Sequence, residues 1–216
     1  MTIELAHFRD EITRVCEKAG RDPRSVRLVA VSKLQPLSKI HEAHREGQLD
    51  FGENYVQEAL EKMAALQMPD VRWHLIGPVQ SNKINKILKR FYLIHSVDSL
   101  KTAEEINKRA QREGHVQPVL LQLNLAQEAT KSGQSESDLR QNWNRYRELK
   151  NLEIQGLMTM PPLEGPSTKY FQQLRDLAQE FGLRELSMGT SSDWKEAIAC
   201  GATMIRIGTA VFGERS

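Results

Sequence analysis

One pattern constrains this chain more than any other: a short β-rich run followed by a longer segment with helical spacing, repeated eight times. The runs are Val26–Val31, Asp50–Gly52, Arg72–Ile76, Tyr92–Ser96, Pro118–Leu125, Ile154–Met160, Glu185–Met188 and Met204–Gly208. Between them apolar residues recur on single helical faces. Tyr170, Leu174, Leu177 and Phe181 make one such stripe, and Val56, Ala59, Leu60 and Met63 another. Gly20, Gly47, Gly114, Gly182 and Gly201 stand where helices should stop, since glycine takes the left-handed conformation after a helix without a Cβ clash. Leu37-Ser38 and Val97-Asp98-Ser99 offer side-chain oxygens where helices should begin. Strict alternation of β and α implies a parallel sheet. Eight units after an N-terminal helix near residues 2–19 predict an α/β fold, a single closed (β/α)8 TIM barrel with an extra N-terminal helix. An open doubly wound sheet is the alternative.

The length of 216 residues fits one domain over 1–216, near the lower end for such a barrel. Pro161-Pro162-Leu163-Glu164-Gly165-Pro166 reads as a stiff loop after the sixth strand, not as a boundary. The 30 basic and 28 acidic residues leave a net charge of +2, which argues against nucleic acid or membrane as the main partner. There is no signal-peptide pattern and no window of transmembrane length, so a cytoplasmic location is expected. Cys16 and Cys200 lack metal-ligand spacing and read as reduced core residues; no metal site is expected. With no apolar stripe left over once the barrel is assembled, a monomer is expected.

In a barrel of this kind the functional groups gather at the C-terminal ends of the strands. Lys33 closes the first run, Val26-Arg27-Leu28-Val29-Ala30-Val31-Ser32-Lys33. A lysine there is ion-paired, snorkels to water or reacts; a desolvated, neutral amine can add to a carbonyl. Other polar residues fall at matching places: Glu53 and Asn54, His74 and Gly77, His95 and Ser96, and Asn124. His74, beside Trp73, reads by itself as a hydrogen-bonded core histidine, and Asn124 as a satisfied amide. Ser187-Met188-Gly189-Thr190-Ser191-Ser192-Asp193 and Arg206-Ile207-Gly208-Thr209 supply hydroxyls, glycines and helix starts after the last two strands. Two such segments side by side predict a phosphate site. Arg206 stays charged and seeks a carboxylate, a phosphate or an aromatic nitrogen. Dinucleotide, P-loop, zinc-protease and serine-hydrolase motifs are absent.

Several segments in order resemble the pyridoxal 5′-phosphate homeostasis proteins, over about Val26 to Gly213. They are Val29-Ala30-Val31-Ser32-Lys33, Phe51-Gly52-Glu53-Asn54-Tyr55-Val56-Gln57-Glu58, and Trp73-His74-Leu75-Ile76-Gly77 continuing to Gln80-Ser81-Asn82-Lys83. Further along come His95-Ser96-Val97-Asp98, Lys131-Ser132-Gly133, Gly156-Leu157-Met158-Thr159, Leu186-Ser187-Met188-Gly189 and Arg206-Ile207-Gly208-Thr209-Ala210-Val211-Phe212-Gly213. The resemblance implies a fold like the N-terminal barrel of alanine racemase without its second domain. It implies pyridoxal 5′-phosphate held as a covalent aldimine on Lys33, with Arg206 facing the pyridine nitrogen. Ser191, Gly208 and Thr209 match positions that hold the phosphate; Asn54, His74 and Met188 are expected beside the cofactor. The sequence departs from the family pattern at Gln35, where a basic residue is frequent, and at Thr190, where the family has methionine.

An arginine opposite the ring nitrogen keeps that nitrogen unprotonated, which makes the cofactor a weak electron sink. The expected role is therefore a non-catalytic carrier in vitamin B6 homeostasis. It would influence amino-acid and keto-acid balance indirectly, with pyridoxal-phosphate-dependent apo-enzymes as partners. A small cofactor-dependent enzyme such as an amino-acid racemase is the alternative, with His74, His95 and the Lys131 loop as the candidates for a second acid or base. A Schiff-base lyase acting on a phosphorylated sugar is a third.

Overall fold

A computed structural model of the chain describes residues 5–128, 130–162 and 165–213. Eight parallel strands close into a barrel in sequence order. They are β1 (Arg27–Val31), β2 (Asp50–Glu53), β3 (Arg72–Leu75), β4 (Leu93–Val97), β5 (Gln117–Leu123), β6 (Leu152–Thr159), β7 (Glu185–Ser187) and β8 (Met204–Ile207). β8 pairs back onto β1, Val29 opposite Arg206 and Ala30 opposite Ile207, so the sheet has no open edge. The expected barrel is present, with strand ends displaced by at most two residues. The doubly wound alternative is excluded by the closure.

The helices are α1 (Leu5–Lys18), α2 (Leu37–Arg45), α3 (Val56–Leu66), α4 (Ile84–Ile87), α5 (Leu100–Arg112), α6 (Glu136–Arg147), α7 (Thr168–Glu180), α8 (Trp194–Ala199) and α9 (Thr209–Phe212). α1 is the extra N-terminal helix. It buries Leu5, Phe8, Ile12 and Cys16 along one face, and the Phe8 ring meets Trp194 of α8 at 5.1 Å. The five glycines expected to end helices all have positive φ. Ser99 caps α5 by accepting from the Thr102 N–H at 3.2 Å. Ser38 does not cap α2: the helix starts at Leu37 behind Pro36, with no side-chain cap, because the proline already fixes the entering backbone. The α7 stripe is rotated from the expected one, with Phe171, Leu174, Leu177 and Ala178 buried and Tyr170 half-buried.

Two apolar layers result. The larger lies between the strands and the helix ring, where Phe51, Leu75, Ile94, Leu121, Leu157 and Ile205 meet the helices. The smaller fills the lumen with Val29, Leu93, Leu120, Met158 and Met204. Alternation along each strand then sends Asp50, His74, His95, Ser187 and Arg206 into that lumen as well, each of them buried. The barrel interior is therefore part hydrocarbon and part polar. Cys16 and Cys200 are buried free thiols, as expected.

Candidate functional site

Lys33 sits two residues beyond β1, in a turn, half-buried. A cluster of charges behind it fixes both of its neighbours. The Ser32 hydroxyl donates to Glu53 Oε1 at 2.7 Å, and Lys62 Nζ reaches the Ser32 carbonyl at 2.6 Å. On the other side the Leu34 N–H donates to Glu58 Oε1 at 2.6 Å while Leu34 holds φ at 59°, a left-handed conformation strained for a leucine. Lys62 ties the set together by pairing with Glu53 at 2.7 Å and Glu58 at 2.6 Å. Lys33 thus follows β1 at its C-terminal end, on the face of the barrel where the loops after the strands gather. Burial raises the Glu53 pKa against the lowering effect of Lys62 and Ser32, and its Oε2 has no hydrogen-bond partner among the described residues.

Arg206, on β8 next to β1, is 4% exposed. Its guanidinium donates to Ser187 Oγ at 2.6 Å and to the Thr159 carbonyl at 3.0 Å. Among the described residues no carboxylate lies within salt-bridge distance of it. Burial accordingly pulls its pKa down to about 10. Buried cations are ordinarily paired. Arg206 is instead held by neutral acceptors, with Asp193 beyond salt-bridge distance acting on it from the loop before α8.

The remaining expected residues separate into two groups. Ser191, Gly208 and Thr209 lie at the top of the barrel, in the loop before α8 and at the start of α9, with Ser191 and Thr209 exposed. Gly189 allows the first of these loops to fold down. Its φ is 92°, and a Cβ there would stand 2.6 Å from Ala197 Cβ. Thr190 fits the loop through Asp193, which accepts from its N–H at 2.7 Å and its hydroxyl at 3.1 Å. Gln35 is buried and its N–H closes the lysine turn onto the Ser32 carbonyl at 3.0 Å. Asn54 follows β2 at the top, and its Oδ1 has no hydrogen-bond partner among the described residues. It is pressed against Gly77, where a Cβ would come within 2.1 Å of its carbonyl oxygen. Asn54 and Gly77 line a top-face cavity of about 220 Å³ with Ser96, Asn124, Lys131 and Met160. Cavities of about 340 and 400 Å³ open at the other end, among residues that begin strands.

His74 and Met188 are fully buried. His74 lies below the mouth, its Nε2 2.9 Å from Asp50 Oδ1 and its Nδ1 2.8 Å from His95 Nε2. The protein therefore occupies both of its ring nitrogens. Asn124 donates to the carbonyls of Glu128 and Lys131, the satisfied amide its sequence position suggested. Lys62 and Asp50 escape a reading of the sequence by itself, as do the contacts that join His95 and Ser187 in the lumen. Lys62 leaves one local signal. It continues the buried face of α3 after Val56 and Ala59, with Glu58 one turn before it.

A closed eight-stranded barrel with a lysine just after its first strand and an arginine on the adjoining last strand belongs to a class, the barrels of the alanine racemase N-terminal type. The family model described as Alanine racemase, N-terminal domain, matches residues 3–216. A relative from Pseudomonas aeruginosa named Pyridoxal phosphate homeostasis protein is 44% identical over 98% of this chain and 94% of its own length. The protein of that name from Escherichia coli K12 is 40% identical over 98% of this chain and 95% of its own length. The chain belongs to the pyridoxal phosphate homeostasis protein family. The structure of PipY from Synechococcus elongatus with pyridoxal phosphate bound is similar at a TM-score of 0.84 and 41% identity, covering 94% of this chain and 99% of PipY.

Proposed function

We propose that this protein binds pyridoxal 5′-phosphate as a carrier in vitamin B6 homeostasis, with the cofactor's aldehyde held as a Schiff base on Lys33. The observation that carries the reading is Arg206, a fully buried guanidinium with only neutral acceptors on a strand paired to that of Lys33. An aromatic ring nitrogen is an acceptor of the right kind, and the arginine keeps it unprotonated. Ser191, Gly208 and Thr209 would hold the phosphate through hydroxyls and backbone N–H groups at the two loops. Asn54 would face the cofactor with its Oδ1, which has no hydrogen-bond partner among the described residues. Bound pyridoxal phosphate supplies an electrophilic carbon and an electron sink; the surrounding residues hold and orient it and restrain the sink.

A carrier role is supported by the state of the three candidates for a second acid or base. His74 and His95 are buried and bonded to one another, and Lys131 Nζ is bound by Glu128 at 2.6 Å and the Pro161 carbonyl at 2.8 Å. Four of the six large exposed apolar side chains among the described residues, Leu34, Leu37, Tyr55 and Met160, lie on the same top face, Leu37 at the start of α2 and the others in loops. That face suits transfer to pyridoxal-phosphate-dependent apo-enzymes, with indirect effects on amino-acid and keto-acid balance. The closed sheet suits a monomer, and no helix among the described residues is long and apolar enough to cross a membrane; we place the protein in the cytoplasm.

The decisive experiment is the visible spectrum of the purified protein before and after borohydride, with peptide mass mapping. A yellow band lost on reduction, with the cofactor mass on the Lys33 peptide, is expected. A protein that stays colourless with added pyridoxal phosphate overturns the proposal. Exchange of the α-hydrogen of any amino acid in deuterated water would establish the enzymatic alternative.

A further inference from the structure

Four buried side chains connect Arg206 to the opposite end of the barrel. Ser187 Oγ accepts from Arg206 at 2.6 Å and lies 2.7 Å from His95 Nδ1. His95 Nε2 lies 2.8 Å from His74 Nδ1, and His74 Nε2 lies 2.9 Å from Asp50 Oδ1. Asp50 then pairs with Arg72, whose side chain is 39% exposed, at 2.5 Å. The series crosses the lumen on β8, β7, β4, β3 and β2. It interrupts a layer that could have been entirely apolar, as Val29, Leu93, Leu120, Met158 and Met204 show.

The donors and acceptors permit one assignment when both imidazoles are neutral. Burial disfavours the imidazolium at both, with Arg27 and Arg206 adding repulsion at His95, and Arg27 and Arg72 opposing the pull of Asp50 at His74. Burial raises the Asp50 pKa, but hydrogen bonds from His74 and Arg72 outweigh it and keep the carboxylate ionised. An ionised carboxylate only accepts, so His74 carries its proton on Nε2 and presents a bare Nδ1. His95 must donate to that atom from Nε2, which leaves its own Nδ1 bare. Ser187 must donate to His95, and so its lone pairs face Arg206. Every proton in the series points toward Asp50 and every lone pair toward Arg206.

We propose that Asp50, His74, His95 and Ser187 form a one-way hydrogen-bond relay that holds Arg206 in place, as a cation, for the ring nitrogen of pyridoxal phosphate. The inference rests on the cofactor assignment above and adds four positioning residues to it. Aligned dipoles ending on an acceptor stabilise a guanidinium that has no carboxylate within salt-bridge distance among the described residues. They also fix the guanidinium plane, since NH1 is committed to Ser187 and NH2 to the Thr159 carbonyl. The relay thereby anchors the arginine through neutral acceptors, and the carboxylate that acts on it, Asp193 in the loop before α8, lies beyond salt-bridge distance.

Long-range proton–nitrogen NMR of the histidines tests the relay on the cofactor-free wild-type protein. Both His74 and His95 are expected as Nε2–H tautomers near neutral pH. An Nδ1–H tautomer or an imidazolium at either position overturns the relay whether or not cofactor binds. Titration with pyridoxal phosphate tests the positioning role. Ser187→Ala and Asp50→Asn are each expected to weaken binding at least threefold, Asp50→Asn from the far end of the barrel, and Ser187→Thr to stay within twofold of wild type. Unchanged binding in both Ser187→Ala and Asp50→Asn overturns the positioning role. A wild-type protein with the expected tautomers that binds no pyridoxal phosphate would overturn the cofactor assignment, and the positioning role with it.

Discussion

Lowering the pH from 7.5 to 5.5 is expected to destabilise this fold by about 1.4 to 2.7 kcal/mol through His74 and His95 alone. Both side chains are fully buried, and burial depresses their pKa, His95 well below the usual 6.5 and His74 below it despite Asp50. A group whose basicity is lower in the folded state takes up its proton first in the unfolded chain. Its contribution is complete above about pH 6.5 and is lost as the pH falls further. One unit below the unfolded pKa, each imidazole that stays neutral in the fold accounts for about 1.4 kcal/mol. His95 accounts for all of its share and His74 for part or all of its own, which sets the range. Urea unfolding at the two pH values checks this in wild type and in His95→Gln, whose amide can accept from Ser187 and donate to His74. The variant is expected to lose about 1.4 kcal/mol of the pH dependence. A pH dependence identical in the two proteins, or a wild type more stable at pH 5.5, would refute the reasoning.

Lys33→Ala is expected to abolish the borohydride-stable adduct while the phosphate loops still retain some cofactor; an equal adduct in the variant counts against Lys33. Arg206→Ala and Ser191→Ala are each expected to weaken cofactor binding by about 1–3 kcal/mol, measured by spectral titration, and unchanged dissociation constants would displace both residues from the site. Lys62→Met leaves Glu53 buried without its cation and is expected to lower unfolding stability by about 3–5 kcal/mol in urea. A loss below about 1 kcal/mol would show that the cluster does not hold the lysine turn.

The barrel was legible because short β-rich runs alternate eight times with longer segments of helical spacing, and five glycines mark helix ends between them. Lys33 and Arg206 stood out as candidates because a basic residue within or at the end of an apolar run has few explanations. Lys62 was hidden by its setting: charges are common on helices, and only the packing of α3 shows that this one faces inward. The relay was hidden by distance. His95 and Ser187 are 92 residues apart, and they touch only because barrel closure brings the inner faces of β4 and β7 together across the lumen. His74 illustrates the limit within one residue. Its core character was readable from its apolar neighbours, but its bond to a second histidine was not.

The pairing of β8 with β1 places Lys33 and Arg206 on neighbouring strands although they come from opposite ends of the chain. During synthesis the lysine emerges early, and its arginine counterpart only when the last strand is made. Under the proposed assignment, an unfinished chain would present the amine without its anchor, and full retention of the cofactor would serve as a seal of completion, reached only by molecules that have been finished and closed.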